Sequence, residues 1–203
     1  MTTETRHYRL TGLTSILGSQ PSSETVRTNF LLAKHPEVDP SGEIVPAESD
    51  ENGQTVFYRD ENDNLVLMDY QVKGFFKAAM GALKADLGIG MPAKKNDLFL
   101  FVEPRCIPLI RDGHTIQDED DILERPLRGQ TMQGERISLA SSEMVSTPWQ
   151  IDIAITVLRN SATAKSSALT FDAVEQALDY GRFSGIGQWR NGGYGRFTWE
   201  RTD

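Results

Sequence analysis

SGIGQWRNGGYGRF, residues 184–197, places five of the chain's 17 glycines beside two aromatic rings and two guanidinium groups. The rings belong to Trp189 and Tyr194, and the guanidinium groups to Arg190 and Arg196. Glycine lacks a Cβ atom, so it adopts positive φ values and lets another backbone approach closely. One or two glycines suffice for a plain tight connection, so five indicate a loop with a further purpose.

A phosphate-binding loop is one interpretation of this glycine pattern. Such a loop follows a strand and opens a helix, whose N-terminal amides bind the phosphate. Here the order is reversed, because a helical pattern over residues 170–180 precedes the loop and a strand-like segment, GRFTWER, follows it. The G-K-[ST] signature is also missing. The other interpretation is a loop against single-stranded nucleic acid, with amides and arginines on phosphates and Trp189 or Tyr194 stacked on a base.

Outward from this loop, hydrophobic periodicity predicts a further helix and several strands. The clearest helix covers residues 70–87, where apolar side chains recur at spacings of three and four, with Asp69 as its cap and Gly88 at its end. Apolar and polar residues alternate in WQIDIAITVL, which predicts a strand with one buried face. The other predicted strands cover residues 8–17 (broken near Gly12), 97–102, 135–145 and 195–201, and hairpins are predicted over 55–68 and 106–116.

The order of these elements defines the expected fold class. Strand, helix, two strands, helix and strand is the βαββαβ plan of a ferredoxin-like α+β domain, here with inserted hairpins and loops. We expect one domain over residues 1–203. Residues 36–64 form an acidic insertion loop and hairpin within it, and few apolar side chains anchor residues 36–53. That part is therefore expected to be mobile and dispensable for folding.

Three segments together resemble a known family, the RAMP superfamily of CRISPR-associated proteins. GIGQWRNGGYGRF matches the family's C-terminal loop, G-x-G-x-x-x-x-G-G-[YF]-G-x-[FL], and YRLTGLTSILGS resembles its first strand and the loop that follows. DYQVKGFFKAAMGAL resembles the segment Gly-Ser-Ser-[IL]-[KR]-Gly-x-[LF]-[KR] at the start of the first helix, with Lys73, Gly74 and Lys77 in matching places. The chain departs from this motif where Tyr70 and Gln71 replace the Gly-Ser-Ser part.

The resemblance implies a role in binding RNA. It implies that the chain holds single-stranded, guide-type RNA without base specificity, beside copies of itself and other subunits of an effector-like ribonucleoprotein, and with no cofactor. The RNA-binding residues that it implies are Lys73, Gly74, Lys77, Gly185, Gly187, Trp189, Arg190, Gly192, Gly193, Tyr194 and Arg196.

The net charge of the chain leaves a second class of function, protein assembly without RNA, as an alternative. The formal net charge is −8, which by itself gives no support for a nucleic-acid partner. The acidic excess lies before residue 125, and the remainder of the chain is nearly balanced. A non-enzymatic phage or defence-related assembly protein that keeps the fold without RNA is therefore the alternative.

Catalysis is not expected from the titratable residues. The histidines are His7, His35 and His114, and none forms part of a recognisable acid–base pair in the sequence. The acidic run at residues 118–121 is read as a solvated loop, because two-metal sites need carboxylates that converge from separate elements. Cys106 with His114 lacks the four-ligand pattern of a zinc site.

The compartment expected from the sequence is the cytoplasm. Cys106 is the only cysteine, so an internal disulfide is impossible. No secretion signal is recognised at residues 1–10, and no apolar run approaches the length of about 20 residues needed to span a membrane.

Overall fold

A computed structural model describes residues 2–21, 54–131, 134–159 and 169–203, with side chains omitted for residues 127–139. The predicted mobile loop at 36–53 and His35 lie outside the described residues. The helices are α1 (Asp69–Ala82), α2 (Lys84–Leu87), α3 (Pro92–Phe99) and α4 (Phe171–Asp179). The strands are β1 (Thr2–Gly12), β2 (Ile16–Leu17), β3 (Gln20–Pro21), β4 (Thr55–Val56), β5 (Tyr58–Arg59), β6 (Leu65–Met68), β7 (Leu100–Glu103), β8 (Cys106–Pro108), β9 (Ile110–Arg111), β10 (His114–Thr115), β11 (Asp121–Thr131), β12 (Gly134–Val145), β13 (Gln150–Arg159) and β14 (Phe197–Arg201).

The fold is mixed α+β, and its main sheet is antiparallel. The strand order is β10-β9-β13-β1-β14, and β7 also pairs with β13. Alternation decides which face is buried: Ile151, Ile153, Ile155 and Val157 of β13 are all buried, as the sequence predicted. The helices α1 and α4 contact each other, and α4 contacts β14. Their apolar stripes and this face of the sheet belong to one hydrophobic core.

The helix predicted at residues 70–87 is interrupted. Its apolar stripe is buried as expected within α1, with Phe75 and Phe76 fully enclosed, whereas Leu83 and Leu87 beyond it are only partly buried. The helix α1 ends at Ala82, however, and Leu83 separates it from the single turn of α2. Gly81 in the last turn of α1 lowers helix propensity by about 1 kcal/mol relative to alanine, which favours a break there. The predicted cap was wrong as well: the cap residue is Met68, whose N–H donates to the side chain of Gln71 at 2.7 Å.

The strand predicted at residues 97–102 begins later than expected. Its first part lies in α3, and only from Leu100 does the chain extend into β7. Pro92 opens α3, where its fixed φ favours a helix start. The buried amide of Asn96 donates to the backbone oxygen of Lys73, at 3.3 Å, and so ties α3 to α1. The helix start at Pro92 and the contact of Asn96 thus favour a helix through Phe99, although the apolar run in DLFLFV predicted a strand there.

Two smaller sheets contain other inserted strands, whereas the hairpin of β9 and β10 belongs to the main sheet. One has the order β11-β12-β4-β3 with β2 beside β12, and the other has the order β5-β6-β8. The hairpin predicted over residues 55–68 is confirmed only for β5 and β6, because β4 pairs with β3 and β12 instead. The hairpin predicted over residues 106–116 turns at Asp112-Gly113, where both residues have positive φ. Strand β11 was not predicted.

Asp120 joins these insertions to the main sheet. Its carboxylate accepts two hydrogen bonds from Arg111, at 2.9 and 2.6 Å, and one from the backbone N–H of Ser146, at 2.7 Å. Hydrogen bonding from Arg111 holds the pKa of Asp120 below its usual range. The ionised form is therefore the one that the folded state stabilises.

Asp120→Asn is expected to lower the free energy of unfolding at pH 7 by about 1–2 kcal/mol, because it removes charge-assisted hydrogen bonds. Since the pKa is depressed in the folded state, this contribution is present above the unfolded pKa of about 3.9 and is lost as the pH falls through the folded pKa. Urea unfolding of both proteins at pH 7 and at pH 3 checks this. A difference that does not shrink at pH 3 would contradict it.

Candidate nucleic-acid interface

Two glycines of the C-terminal loop are required by the chain's own packing. The backbones of Gly185 and Gly195 lie against each other, and the N–H of Ile186 donates to the oxygen of Gly195 at 3.0 Å. A Cβ atom on Gly185 would lie 2.1 Å from the oxygen of Tyr194, and one on Gly195 would lie 1.9 Å from the oxygen of Ile186. The backbone that approaches these two positions is therefore that of the loop itself.

The loop is fastened to the segment that follows β1. The N–H of Gly195 donates to the oxygen of Ser15 at 2.8 Å, and the N–H of Leu13 donates to the oxygen of Arg196 at 2.7 Å. The hydroxyl of Thr14 donates to the oxygen of Gly193 at 2.9 Å. These bonds hold the loop in place, so its side chains are presented in a defined geometry.

The other three glycines face different surroundings. A Cβ on Gly187 would come within 3.0 Å of the oxygen of Leu17, and one on Gly192 would lie 2.6 Å from the ring of Trp189. At Gly193, which has a φ of +86°, the nearest atom would belong to Arg196 at 3.7 Å, an ordinary contact. Gly193 is thus the loop glycine at which an added Cβ atom would cause no clash.

Trp189 of the loop lies at the surface. Its side chain is 41% exposed and stacks on Tyr194, with ring centroids 5.2 Å apart and planes inclined by 18°. It caps a short 3-10 turn, Arg190–Gly192. The guanidinium of Arg125 lies 4.4 Å from the centroid of the indole.

A cleft of about 260 Å³ connects this loop with the start of α1. It brings together three of the predicted residues, Gly74, Gly187 and Arg190, from segments far apart in the sequence. Within the part of the chain that the structure describes, the side chain of Arg190 has no hydrogen-bond or ion-pair partner. The cleft is lined by Ser19, Tyr58, Tyr70, Gln71, Gly74, Gly187 and Arg190.

Two tyrosines form an aromatic wall of this cleft. Tyr70 donates its hydroxyl to that of Tyr58 at 2.6 Å, and the rings meet edge to face with centroids 6.4 Å apart. Partial burial, together with this hydrogen bond, raises the pKa of Tyr70. Tyr70 nevertheless stays half exposed. A guanidinium that has no partner among the described residues, beside partly exposed aromatic rings, is a combination that can hold a phosphate and a stacked base.

Lys73 and Lys77 do not line the cleft. The ammonium of Lys77 pairs with the carboxylate of Asp97 at 2.7 Å, and that of Lys73 donates to the backbone oxygen of Asp97 at 3.1 Å. The hydrogen bond from Lys77 lowers the pKa of Asp97. Because α1 begins at Asp69, Lys77 lies two turns beyond the N-terminus. The expected position beside the helix start is therefore wrong for Lys77.

A larger cavity, of about 600 Å³, lies on the polar face of the main sheet. Its charges are largely compensated within the chain, since Arg9 forms two hydrogen bonds with Asp152, at 2.8 and 2.9 Å. It shares no residue with the predicted set. Volume alone therefore does not make it the candidate site. It is lined by His7, Tyr8, Arg9, Glu103, Pro104, Arg105, Asp152, Ile153, Ala154 and Thr202.

The acidic run at residues 118–121 does not converge on one point. Asp120 binds Arg111, Glu119 lies 3.4 Å from the guanidinium of Arg59, and Asp121 accepts a hydrogen bond from the N–H of Ile122. Among the described residues, no group of three or more His, Cys, Asp or Glu side chains is placed to hold a metal ion.

The side chains of the two described histidines are exposed. His7 lies in the middle of β1, and His114 lies in β10 immediately after the turn. Neither lines the cleft of Arg190. Over the ranges that the structure describes, no helix is long and apolar enough to cross a membrane.

Several site residues were not predicted from the sequence. Tyr58, Ser19 and Arg125 belong to segments distant from the loop, and no local pattern marks them. Tyr70 and Gln71 did carry a signal, because they are the point where the chain departs from the RAMP helix motif. The departure puts an aromatic ring where the motif has a small residue.

Comparison with known proteins gives likenesses of structure only. No protein-family profile matches the chain, and no curated protein matches it by sequence. One similar structure belongs to the type III-B Cmr-beta complex bound to cognate target RNA, with 8% identity and a TM-score of 0.48 over 99% of this chain and 59% of that chain. The chain thus spans about three fifths of that protein's length. Another similar structure belongs to a type IV-B CRISPR complex, with 10% identity and a TM-score of 0.49 over 98% of this chain and 90% of that chain.

Proposed function

We propose that this chain binds single-stranded RNA in the cleft between α1 and the C-terminal glycine loop. The observation that carries the proposal is the meeting of Gly74, Gly187 and Arg190 in one cleft. These residues come from two segments that resemble separate RAMP motifs. In the proposed role, this chain is a subunit of a CRISPR-effector-like ribonucleoprotein, and several copies of it lie along one guide-type RNA.

The chemistry of the cleft supports binding without base specificity. Arg190 supplies a charge for a phosphate, and Tyr58 and Tyr70 supply aromatic faces, which any base can stack on. The order of the sheet supports the finer proposal that the main sheet is ferredoxin-like. The four strands of the βαββαβ unit would be β1, β7, β13 and β14, with α1 and α4 as its two helices. In the sheet, β14 pairs with β1, β1 pairs with β13, and β13 pairs with β7.

The proposed role is binding and not catalysis. A general base must reach the bond that it cleaves, directly or through one water. The side chains of the described histidines are exposed, and neither lines the cleft. Their placement gives no support to a nuclease.

A protein-assembly function without RNA is the second candidate. Three large apolar side chains near α3 and β7 are exposed, Met91, Leu98 and Phe101. Together with the net charge of −8, they favour a protein partner. An apolar interface responds little to salt, whereas RNA affinity falls with salt at a log–log slope of about −0.7 per phosphate contact.

Arg190→Glu is the variant that tests the RNA proposal. It is expected to weaken binding of a fluorescein-labelled single-stranded RNA at least tenfold at about 50 mM salt, since one phosphate contact becomes a repulsion. Fluorescence anisotropy measures the affinity. The matched control is Arg182→Glu, the same charge change at an exposed arginine outside the cleft.

The control protein is expected to bind within about twofold of the unchanged protein, because repulsion between distant charges is screened over roughly 14 Å at this salt concentration. Equal affinities for the two variants would remove the cleft as the binding site. A wild-type protein that binds no RNA at any salt concentration would favour the assembly function.

A further inference from the structure

Arg125 of β11 is a buried cation with unused hydrogen-bond donors. Its side chain is 8% exposed, and its Nε and Nη1 atoms are buried without a hydrogen-bond partner. No carboxylate among the described residues forms an ion pair with it. Burial lowers the pKa of Arg125. An unpaired buried guanidinium is costly, so its retention calls for a compensating partner.

Trp189 covers this cation at the surface. The guanidinium carbon lies 4.4 Å from the centroid of the indole, a cation–π contact, while the indole stacks on Tyr194 and remains 41% exposed. The backbone of Trp189 is left-handed, with a φ of 50° and a ψ of 44°. Non-glycine residues rarely adopt this conformation, and it concentrates at ligand sites. A buried cation, a stacked aromatic pair with an exposed indole, and a strained backbone therefore coincide at one point.

The chemistry at this point fits a nucleotide. A guanidinium recognises phosphate oxygens through several N–H donors, and adjacent aromatic faces stack on bases. Arg190 is the first residue of the turn that Trp189 caps, and it lines the cleft. Arg125 contacts the ring of Trp189, so both arginines lie close to this turn. An acidic protein partner would pair with Arg125, but it would not account for the stacked rings of Trp189 and Tyr194.

We propose that Arg125 is a phosphate-binding residue that Trp189 shields in the free protein. When RNA binds, the indole moves off the guanidinium and stacks on a base, and the freed N–H groups of Arg125 donate to a phosphodiester oxygen. This inference rests on the proposed RNA function. It extends the site from the cleft of Arg190 to the inserted hairpin of β11 and β12.

The test uses Arg125→Met, which keeps the approximate length of the side chain and removes its charge. We expect RNA affinity to fall at least tenfold at about 50 mM salt, and the log–log salt slope to lose about 0.7. The melting temperature should stay the same or rise, because an apolar side chain has no charge to desolvate. Arg125→Lys keeps the charge and should recover much of the affinity and the original slope.

The outcomes separate this inference from the proposed function. If the unchanged protein binds no RNA, the proposed function fails, and this inference fails with it. If the unchanged protein binds and Arg125→Met binds with the same affinity and slope, only the inference fails. Met and Lys variants that bind equally weakly, or a Met variant that melts lower and binds as before, would make Arg125 a structural residue.

Discussion

Gly195→Ala is expected to lower the free energy of unfolding by about 3–4 kcal/mol. A Cβ at this position would lie 1.9 Å from the backbone oxygen of Ile186, and that oxygen cannot rotate away as a side chain would. Overpacking of this kind costs about 1–3 kcal/mol, and the positive φ of 69° adds about 1–2 kcal/mol. For a chain of this size, the melting temperature should fall by roughly 10 °C.

Gly193→Ala is the matched control for this effect. Gly193 shares the positive φ, but the nearest atom to its added Cβ would be in the side chain of Arg196, at 3.7 Å. The control should therefore show only the backbone penalty of about 1–2 kcal/mol. Thermal and urea unfolding compare the two. Equal losses would mean that the loop relaxes around Gly195, and the close packing with Ile186 would not be essential.

The glycines of the C-terminal loop show how much of its structure could be predicted from the sequence. Its glycine density correctly indicated a close approach to the backbone, because that inference needs only the missing Cβ atom. The identity of the approaching backbone was not predictable, since it depends on how residues 184–197 fold back on themselves. At Gly185 and Gly195 it is the loop itself. Among the five loop glycines, only Gly193 would accept a Cβ atom at ordinary contact distances, the nearest atom being in the side chain of Arg196 at 3.7 Å.

Elements with a strong local signal were predicted well. Alternation in β13 and the apolar stripe of α4 each specify a buried face without reference to distant residues. The apolar run DLFLFV was ambiguous, because a short run of this kind fits a helix or a strand. Strand β11 has little alternation and contains Pro126, and its extended form depends on pairing with β12. The position of Arg125 against Trp189 follows from that pairing, so no sequence pattern revealed it.

Gly193→Val is expected to abolish RNA binding while the protein stays folded. The added side chain would project into the space beside Arg196 and would block an RNA backbone that approaches the turn Arg190–Gly192. The N–H of Gly193 donates to the oxygen of Arg190 at 3.0 Å, so the blocked position belongs to the same turn as the proposed phosphate contact. Fluorescence anisotropy with labelled single-stranded RNA at about 50 mM salt measures the loss.

The control for Gly193→Val is Gly88→Val, because it places valine at another positive φ but outside the cleft. Gly88 has a φ of +61° at the end of α2, and a Cβ there would have no atom within 4 Å. Gly88→Val and Gly193→Val should thus lose a similar stability, about 1–2 kcal/mol each, because both force a side chain into the left-handed region. Only the substitution at Gly193 should affect RNA. If both variants bind as the unchanged protein does, the glycines of the loop serve chain geometry alone. Arg190 and the two tyrosines of the cleft would then need another ligand.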